Sequence, residues 1–545
     1  MDPVSVEPRQ RPRGPGVLYS VVVVVLVALV GALTFQAQQP PPPTIAVFSP
    51  QAVERIEDAP DEQSSQFGSG EGGEIGTGGA GVATPPPPDE LPINVPRTHR
   101  CVGDPPRQIE DPQSPPCVPF WEGENGGATY RGVTENEIRV AVPLWDANIH
   151  PPLQNFFNSR FEFYGRKLLL IDGENPMGNP EDERADAIAN DQLVIFASTA
   201  ITGGGYWYYV ELAERKTLST VSFSQGMTDE LGSRWRPYMW VYQMAYNRQF
   251  ANIGEWTCKR LAGRDAVHAG DPALHDDTRK FGLFLTRRYI DTPLRSEWVE
   301  RELNRCGAEL EVDQEMTYEE SAGAGFTPED AANAIIEMKA KGVTSVYCLC
   351  VHVQLGHAMR AASSQEFYPE WLLSSYEDID NSEATRGFAA DAEDQRANAF
   401  GTTFRPRHVL AENHPATWAM REGGSGATPS TFQQLYLYPD ILLLASGIQM
   451  AGPKLTPETF EQGLHRTVFP NPDHPIMFGD VGFEDRDYTM TDDGAEIWWS
   501  NTAVGHDGLE RAYCYVDGGA RRAKGAWPQG GDPFFKEPCD TSDAG

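Results

Sequence analysis

From residue 132 onward, short apolar and β-branched runs alternate with stretches whose apolar positions recur every three or four residues. The runs are IRVAVPLW (138–145), RKLLLID (166–172), LVIFAST (193–199) and TLSTVSF (217–223), then KFGLFLT (280–286), ELEVDQEMTY (309–318) and VTSVYCLCV (343–351). Runs this continuously apolar predict strands covered on both faces, and their alternation with helical patterns predicts βαβ units in a parallel sheet. Helices are expected from about Pro180, from the glycines at 203–205 and over about 244–262. The best-marked helix follows Thr327: Thr327 can cap it, Pro328 suits its first turn, Asp330 completes a capping box, and Gly342 ends it. Its apolar Ala331, Ile335 and Met338 form one stripe for a sheet face. Two such sets in tandem, with the chain returning through EWLLSSYEDID (370–380), predict two α/β lobes. The ligand cleft is then expected between them, beyond the carboxyl ends of the strands.

The N-terminal part has a different pattern. Residues 17–35 carry no charge and are long enough to cross about 30 Å of hydrocarbon as a helix. Arg9, Arg11 and Arg13 precede them, which predicts a cytoplasmic segment 1–16 and an extracytoplasmic remainder. The sequence after Phe35 offers only a poor cleavage site, so 17–35 read as an anchor in preference to a removed signal. Residues 36–128, with two PPPP runs and a glycine-rich run, read as an extended stalk. GTGGAG at 76–81 matches a dinucleotide fingerprint, but it lacks the flanking strand and helix that give that motif its function. A two-lobed domain is expected over 129–510 and a polar tail over 511–545.

Charge and cysteines narrow the function. A net charge of -34 repels nucleic acid, which is excluded as a partner. Eight cysteines in an exported chain predict disulfides. Cys101 with Cys117, and Cys514 with Cys539, each enclose a weakly packed segment and are expected to pair. Cys258, Cys306, Cys348 and Cys350 allow three pairings, of which Cys348–Cys350 is disfavoured because extended i, i+2 side chains diverge. Cys348, Cys350 and His352 would share a strand face, yet C-x-C lacks the usual zinc-ligand spacing, and no metal is expected. No phosphate-binding loop, H-E-x-x-H or G-x-S-x-G occurs, so neither a cofactor nor an enzymatic activity is expected.

GVTENEIRVAVPL (132–144), VIFAST before a glycine-opened helix, STVSFS (219–224), YLYPDILLLASGIQMAG (436–452) and FEDRDYTMTDDGAEIWWSN (483–501) together resemble type I periplasmic binding proteins. The nearest branch is similar to the leucine/isoleucine/valine-binding receptors of ABC importers. The resemblance implies two Rossmann-like lobes joined by three crossovers, closing on a small solute by a hinge. It places lobe one at about 128–245 with 376–480, and lobe two at about 246–375 with 481–510. It also implies that Ser198, Thr199, Ser222 and Ser224 hold an amino acid or a related carboxylate or amide, and that an ABC permease is the membrane partner. The residues agree with such a site, since a glycine-opened helix N-terminus beside Ser198 and Thr199 favours an anion. The alternative is that these hydroxyls only cap the helix. Tyr289 and Tyr376 are candidates to close over the solute from lobe two. The link at 146–167 departs from the family in being short, aromatic and interrupted by proline, which leaves the ligand class open. A sensor or envelope module without transport, and a secreted α/β enzyme, are the alternative readings.

Overall fold

The structure is a computed structural model that describes residues 101–102, 107–108, 111, 113–143, 150–176, 179–199, 205–221, 227–287, 294–317, 327–389, 391–407, 409–430, 433–469, 481–531, 534–536 and 539. The expected anchor at 17–35, the stalk up to residue 100, and Ser222, Ser224 and Tyr289 lie outside these residues. Among the described residues no helix is long and apolar enough to cross a membrane.

Five parallel strands make the first sheet: β1 (Glu137–Val142), β2 (Lys167–Asp172), β3 (Ala197–Thr199), β4 (Leu218–Val221) and β5 (Met239–Val241), in the order β2-β1-β3-β4-β5. Between them run α1 (His150–Arg160), α2 (Pro180–Gln192), α3 (Tyr206–Glu214) and α4 (Asp229–Arg234). The prolines of the 146–167 link, Pro151 and Pro152, fall in the first turn of α1, where a missing N–H costs no helical bond. In the turn ahead of β1, Gly132 has φ of +70°, and any Cβ there would run into the backbone of Ile195 and Phe196.

The second sheet repeats the order. After α5 (Tyr246–Arg260) come β6 (Phe281–Arg287), α6 (Glu297–Arg305), β7 (Leu310–Thr317), α7 (Pro328–Ala340), β8 (Ser345–Leu349), α8 (His352–Ser364), β9 (Glu370–Leu373), α9 (Ser382–Phe388), α10 (Glu393–Arg396) and β10 (Ala399–Thr403). The parallel strands lie in the order β7-β6-β8-β9-β10, and β11 (Asp493–Val504) and β12 (Glu510–Tyr515) extend the sheet antiparallel. Along β6 and β8, Leu283, Leu285, Tyr347 and Leu349 enter one core while Phe284, Val346 and Cys348 enter another. That two-residue alternation with both faces buried is why these strands read as continuous apolar runs. The capping box at Thr327 and Asp330 forms as the sequence predicts.

Three crossovers join the lobes, and two lie elsewhere than the resemblance implied. Tyr242–Ala245 carries the chain out of β5 into α5. The return comes after β10 and not at residue 376, because AFGTT at 399–403 forms one more strand beside β9 before the chain leaves. It re-enters lobe one through α11 (Pro415–Glu422), α12 (Tyr438–Ala451) and α13 (Pro457–Arg466). Residues 481–490 stay with lobe one, since Val481, Phe483, Tyr488 and Met490 enter its core and Thr489 bridges to Val241. The third crossover is therefore at about 491–492, ahead of β11.

The described parts of the expected stalk and of the expected tail are packed onto the lobes. The described residues from Gln108 to Trp121 pack on lobe one as a strap, and the segment after 510 supplies β12 and sends Trp527 and Phe534 into a core of lobe two. Disulfides join Cys101 to Cys117 and Cys514 to Cys539 as predicted. The interior cysteines correct the expectation, pairing Cys258 with Cys306 and Cys348 with Cys350. Strand β8 ends at Leu349, and the chain bends at Cys350, bringing the two Cα atoms to 5.0 Å. Two fully extended steps would span about 6.6–7.2 Å, so the divergence argument fails where the strand stops.

Candidate functional site

Of the four hydroxyl residues that the sequence singled out, Ser198 and Thr199 are described, and both make their hydrogen bonds within lobe one. The Ser198 and Tyr208 hydroxyls lie 2.7 Å apart, and Tyr208 also accepts from Asn190 Nδ2 at 2.8 Å. Thr199 donates to the Thr220 carbonyl at 3.0 Å and accepts from the Thr220 hydroxyl at 3.1 Å. Thr220 also reaches the Asp440 carbonyl at the start of α12, 3.1 Å away, so these hydroxyls fasten α12 to β3 and β4 and do not cap α3. Thr199→Val would thus remove two bonds internal to the lobe.

The N-terminus of α3 carries the main correction. The Glu183 carboxylate, fully buried on α2, accepts from Gly205 N at 2.9 Å and from Trp207 N at 3.0 Å. The anion that this helix end favours is supplied by the protein itself. Arg184 and Glu211 pair at 3.1 Å across the same two helices, with the Arg184 guanidinium 4.3 Å from the Trp207 ring centre. Tyr376, expected at the cleft, is a core residue of lobe two: it is buried, donates to the Thr286 carbonyl and packs its ring against Tyr246 and Phe250.

What the described residues do bring together is the set of crossovers between the lobes. Strands β5 and β10 each end directly in a crossover, so a recess forms where Tyr242 and Arg405 leave the two sheets. Asp111 and Gln113 of the strap, His414 and Tyr438 complete its polar wall. It holds about 40 Å³ for water centres, room for about three waters, which is less than an amino acid requires. The Tyr438 hydroxyl donates to Asp111 at 3.0 Å, and Tyr242 donates to Gln113. Burial pushes the Asp111 carboxyl up to about 6 and the His414 imidazole down to about 4.

Arginines cross-brace the three crossovers. Arg521 donates to the carbonyls of Phe404 and Arg405 at 3.2 and 2.6 Å and pairs with Asp493 at 2.7 Å, tying the second crossover to the end of the third. Arg248, just past the first crossover, pairs with Asp487 at 2.7 Å, Asp492 at 3.0 Å and Asp229 at 2.9 Å. Burial alone would lower its pKa, but Asp487 and then Asp229 outweigh that and raise it. Arg405 is 3.6 Å from Asp380, whose carboxyl burial lifts to about 6, and donates to the Tyr436 hydroxyl at 3.2 Å.

Sequence reasoning missed Glu183, Arg248, Arg405, Arg521 and Asp111. Only Asp111 carried a signal, because a segment closed by Cys101 and Cys117 is constrained whatever its composition. Among the described residues no group of three or more His, Cys, Asp or Glu side chains is placed to hold a metal.

No protein-family model and no curated protein matches the sequence. Solved structures do match. A substrate-binding protein of an ABC transporter from Aeropyrum pernix aligns with a TM-score of 0.50 at 13% identity, covering 71% of this chain and 96% of the other. A leucine-, isoleucine-, valine-, threonine- and alanine-binding protein from Brucella ovis aligns at 0.49 and 13% identity over 72% and 97%. A leucine-binding protein from Thermotoga maritima gives 0.48 and 13% over 67% and 96%. With two parallel sheets of the same strand order and three crossovers between them, the chain has the fold of the type I periplasmic binding proteins.

Proposed function

We propose that this protein is a solute-binding protein that captures a small polar molecule, an amino acid or a related carboxylate or amide, between its lobes by hinge closure. The observation that carries the reading is the placement of the crossovers. β5 and β10 run straight into them, so the carboxyl ends of both parallel sheets border one interlobe space, where open α/β sheets hold ligands. The Aeropyrum pernix protein of similar fold is a substrate-binding protein of an ABC transporter, which supports the same reading. We further propose that the apolar segment 17–35 tethers the lobes outside the membrane, where an importer permease takes up the ligand.

The test combines a ligand screen with a measurement of shape. Amino acids, amides and short-chain acids are scanned by thermal shift, in which a ligand at 100 times its Kd stabilises the folded state by about 2.7 kcal/mol. Any hit is then followed by small-angle scattering. A stabilising ligand that also reduces the radius of gyration supports hinge closure, and binding without compaction refutes it.

A further inference from the structure

The three crossovers are unequal, and the difference selects an axis of motion. The first (Tyr242–Ala245) and the third (about 491–492) are short, whereas the second runs from Phe404, after β10, to His414, before α11. The two short ones are also bonded to each other. Val241 N donates to the Tyr488 carbonyl at 2.9 Å, Met490 N to the Val241 carbonyl at 2.9 Å, and the Thr491 hydroxyl to the Tyr242 carbonyl at 2.7 Å. The first and third crossovers therefore leave lobe one side by side.

Arg248 stands just beyond this pair. Its helix, α5, belongs to lobe two, since Tyr246 and Phe250 on either side of it enter that lobe's core. Its guanidinium nevertheless reaches back to lobe one: Nη1 is 2.7 Å from Asp487, whose side chain is fully buried, and Nε is 2.9 Å from Asp229 on α4. The same Nη1 is 3.0 Å from Asp492 in the third crossover. Asn247 adds a reciprocal pair, donating to the Asp229 carboxylate at 2.7 Å and accepting from Asp229 N at 3.0 Å. The second crossover is clamped where it leaves lobe two, by Arg521 on the carbonyls of Phe404 and Arg405 and by Arg407 on the Gly518 carbonyl at 3.3 Å. Its remaining length up to His414 is left to bend.

When one body turns on another, points near the axis stay together and points far from it travel. The bonded pair of crossovers cannot part without breaking three hydrogen bonds and stranding the buried Asp487 carboxylate, which is strongly unfavourable. A long crossover follows a rotation by small φ/ψ changes spread over several residues. We propose that lobe two turns on lobe one about the paired first and third crossovers, that Arg248 is the pin that keeps this axis in place, and that the second crossover flexes to follow. The proposal rests on the hinge reading for its use in capture, but the pin is a property of the ligand-free protein. Removing the guanidinium reverses the local electrostatics, because Asp229 and Asp487 of lobe one then face Asp492 as like charges.

The test measures the distance between lobes in the full chain without ligand. Val194 in lobe one and Ile336 on α7 are exposed and all eight cysteines are paired, so Val194→Cys with Ile336→Cys carries two spin labels for pulsed electron paramagnetic resonance. One narrow distance distribution is expected with Arg248 in place. Arg248→Gln is expected to double its width or more, and Asp492→Asn, which removes only the arm to the third crossover, to broaden it less. A label pair within lobe two, Ile336→Cys with Val504→Cys, is expected to keep its distribution in both variants. Circular dichroism checks folding, and should Arg248→Gln not fold, Asp492→Asn decides the matter, its side chain being partly exposed. The proposal is overturned if the folded variants leave the interlobe distribution unchanged, or if the pair within lobe two broadens as much as the interlobe pair. Solute binding without compaction would refute hinge capture and leave these ligand-free distances as expected, so the two failures are told apart.

Discussion

Replacing Glu183 by alanine is expected to destabilise lobe one by about 3–5 kcal/mol. Its carboxylate makes two charge-assisted bonds, to Gly205 N at 2.9 Å and Trp207 N at 3.0 Å, each worth about 1.5–3 kcal/mol when the acceptor is ionised. The favourable placement of a negative charge at the N-terminus of α3 adds a few tenths to about 1 kcal/mol. Relaxation and water entering the vacated space recover part of the sum, which sets the lower figure. Glu183→Gln keeps one acceptor and loses the charge, so about half the loss is expected. Equilibrium urea unfolding followed by tryptophan fluorescence reads both, with Trp207 itself on the affected turn. Acetate supplies a second readout. In Glu183→Ala the helix end is an empty anion site, so added acetate restores stability as the logarithm of its concentration, by about 1.4 kcal/mol at ten times its Kd, and leaves the wild type unchanged. A loss under about 1 kcal/mol for Glu183→Ala, or equal rescue of wild type and variant by acetate, would refute the assignment of Glu183 as the anion of this helix.

Three further outcomes are expected. Asp111 sits near 6 when folded against 3.8 for the free residue, so the folded state binds more protons and wild-type stability falls as pH rises from about 3.8 to about 6. The Asn variant loses that slope, and its stability relative to wild type climbs by about 3 kcal/mol across the window in urea titrations. Non-reducing peptide mapping is expected to recover Cys101–Cys117, Cys258–Cys306, Cys348–Cys350 and Cys514–Cys539 and no free thiol; any link between the 258/306 and 348/350 pairs would contradict the bend at Cys350. Arg521→Met frees the carbonyls of Phe404 and Arg405 and leaves Asp493 unpaired, and is expected to destabilise by about 3–5 kcal/mol as a broken buried pair; a change below 1 kcal/mol would show that the brace carries nothing.

The strands buried on two faces were legible because their apolar runs needed no partner information, as in β1, β6 and β8. β5 and β10 were not singled out: MWV and AFGTT are short, and AFGTT is half polar. Hydropathy could assign the strap no place, since its described attachments run through polar side chains such as Asp111 and Gln113. At the site, the hydroxyl-bearing strand ends and the anion-favouring helix were visible, and the identity of the anion was not. Glu183 lies 22 residues before Gly205 and meets it only because α2 and α3 pack side by side. A local pattern specifies that a charge is wanted and cannot say which element delivers it. Tyr376 shows the converse, because a tyrosine after a strand reads the same whether its ring enters the cleft or the core.

The strap has a mechanical consequence. Its described side-chain anchors all belong to lobe one or the segment leaving it: Gln108 donates to the Arg160 carbonyl, Tyr438 and Tyr242 hold Asp111 and Gln113, and Gln449 holds Gln108 and the Pro116 carbonyl. A pull arriving along the chain from the N-terminal side is therefore taken up by one lobe and bypasses the other. On the proposed closure, lobe one is the door frame and lobe two the leaf, and none of these strap anchors has to break for the leaf to swing.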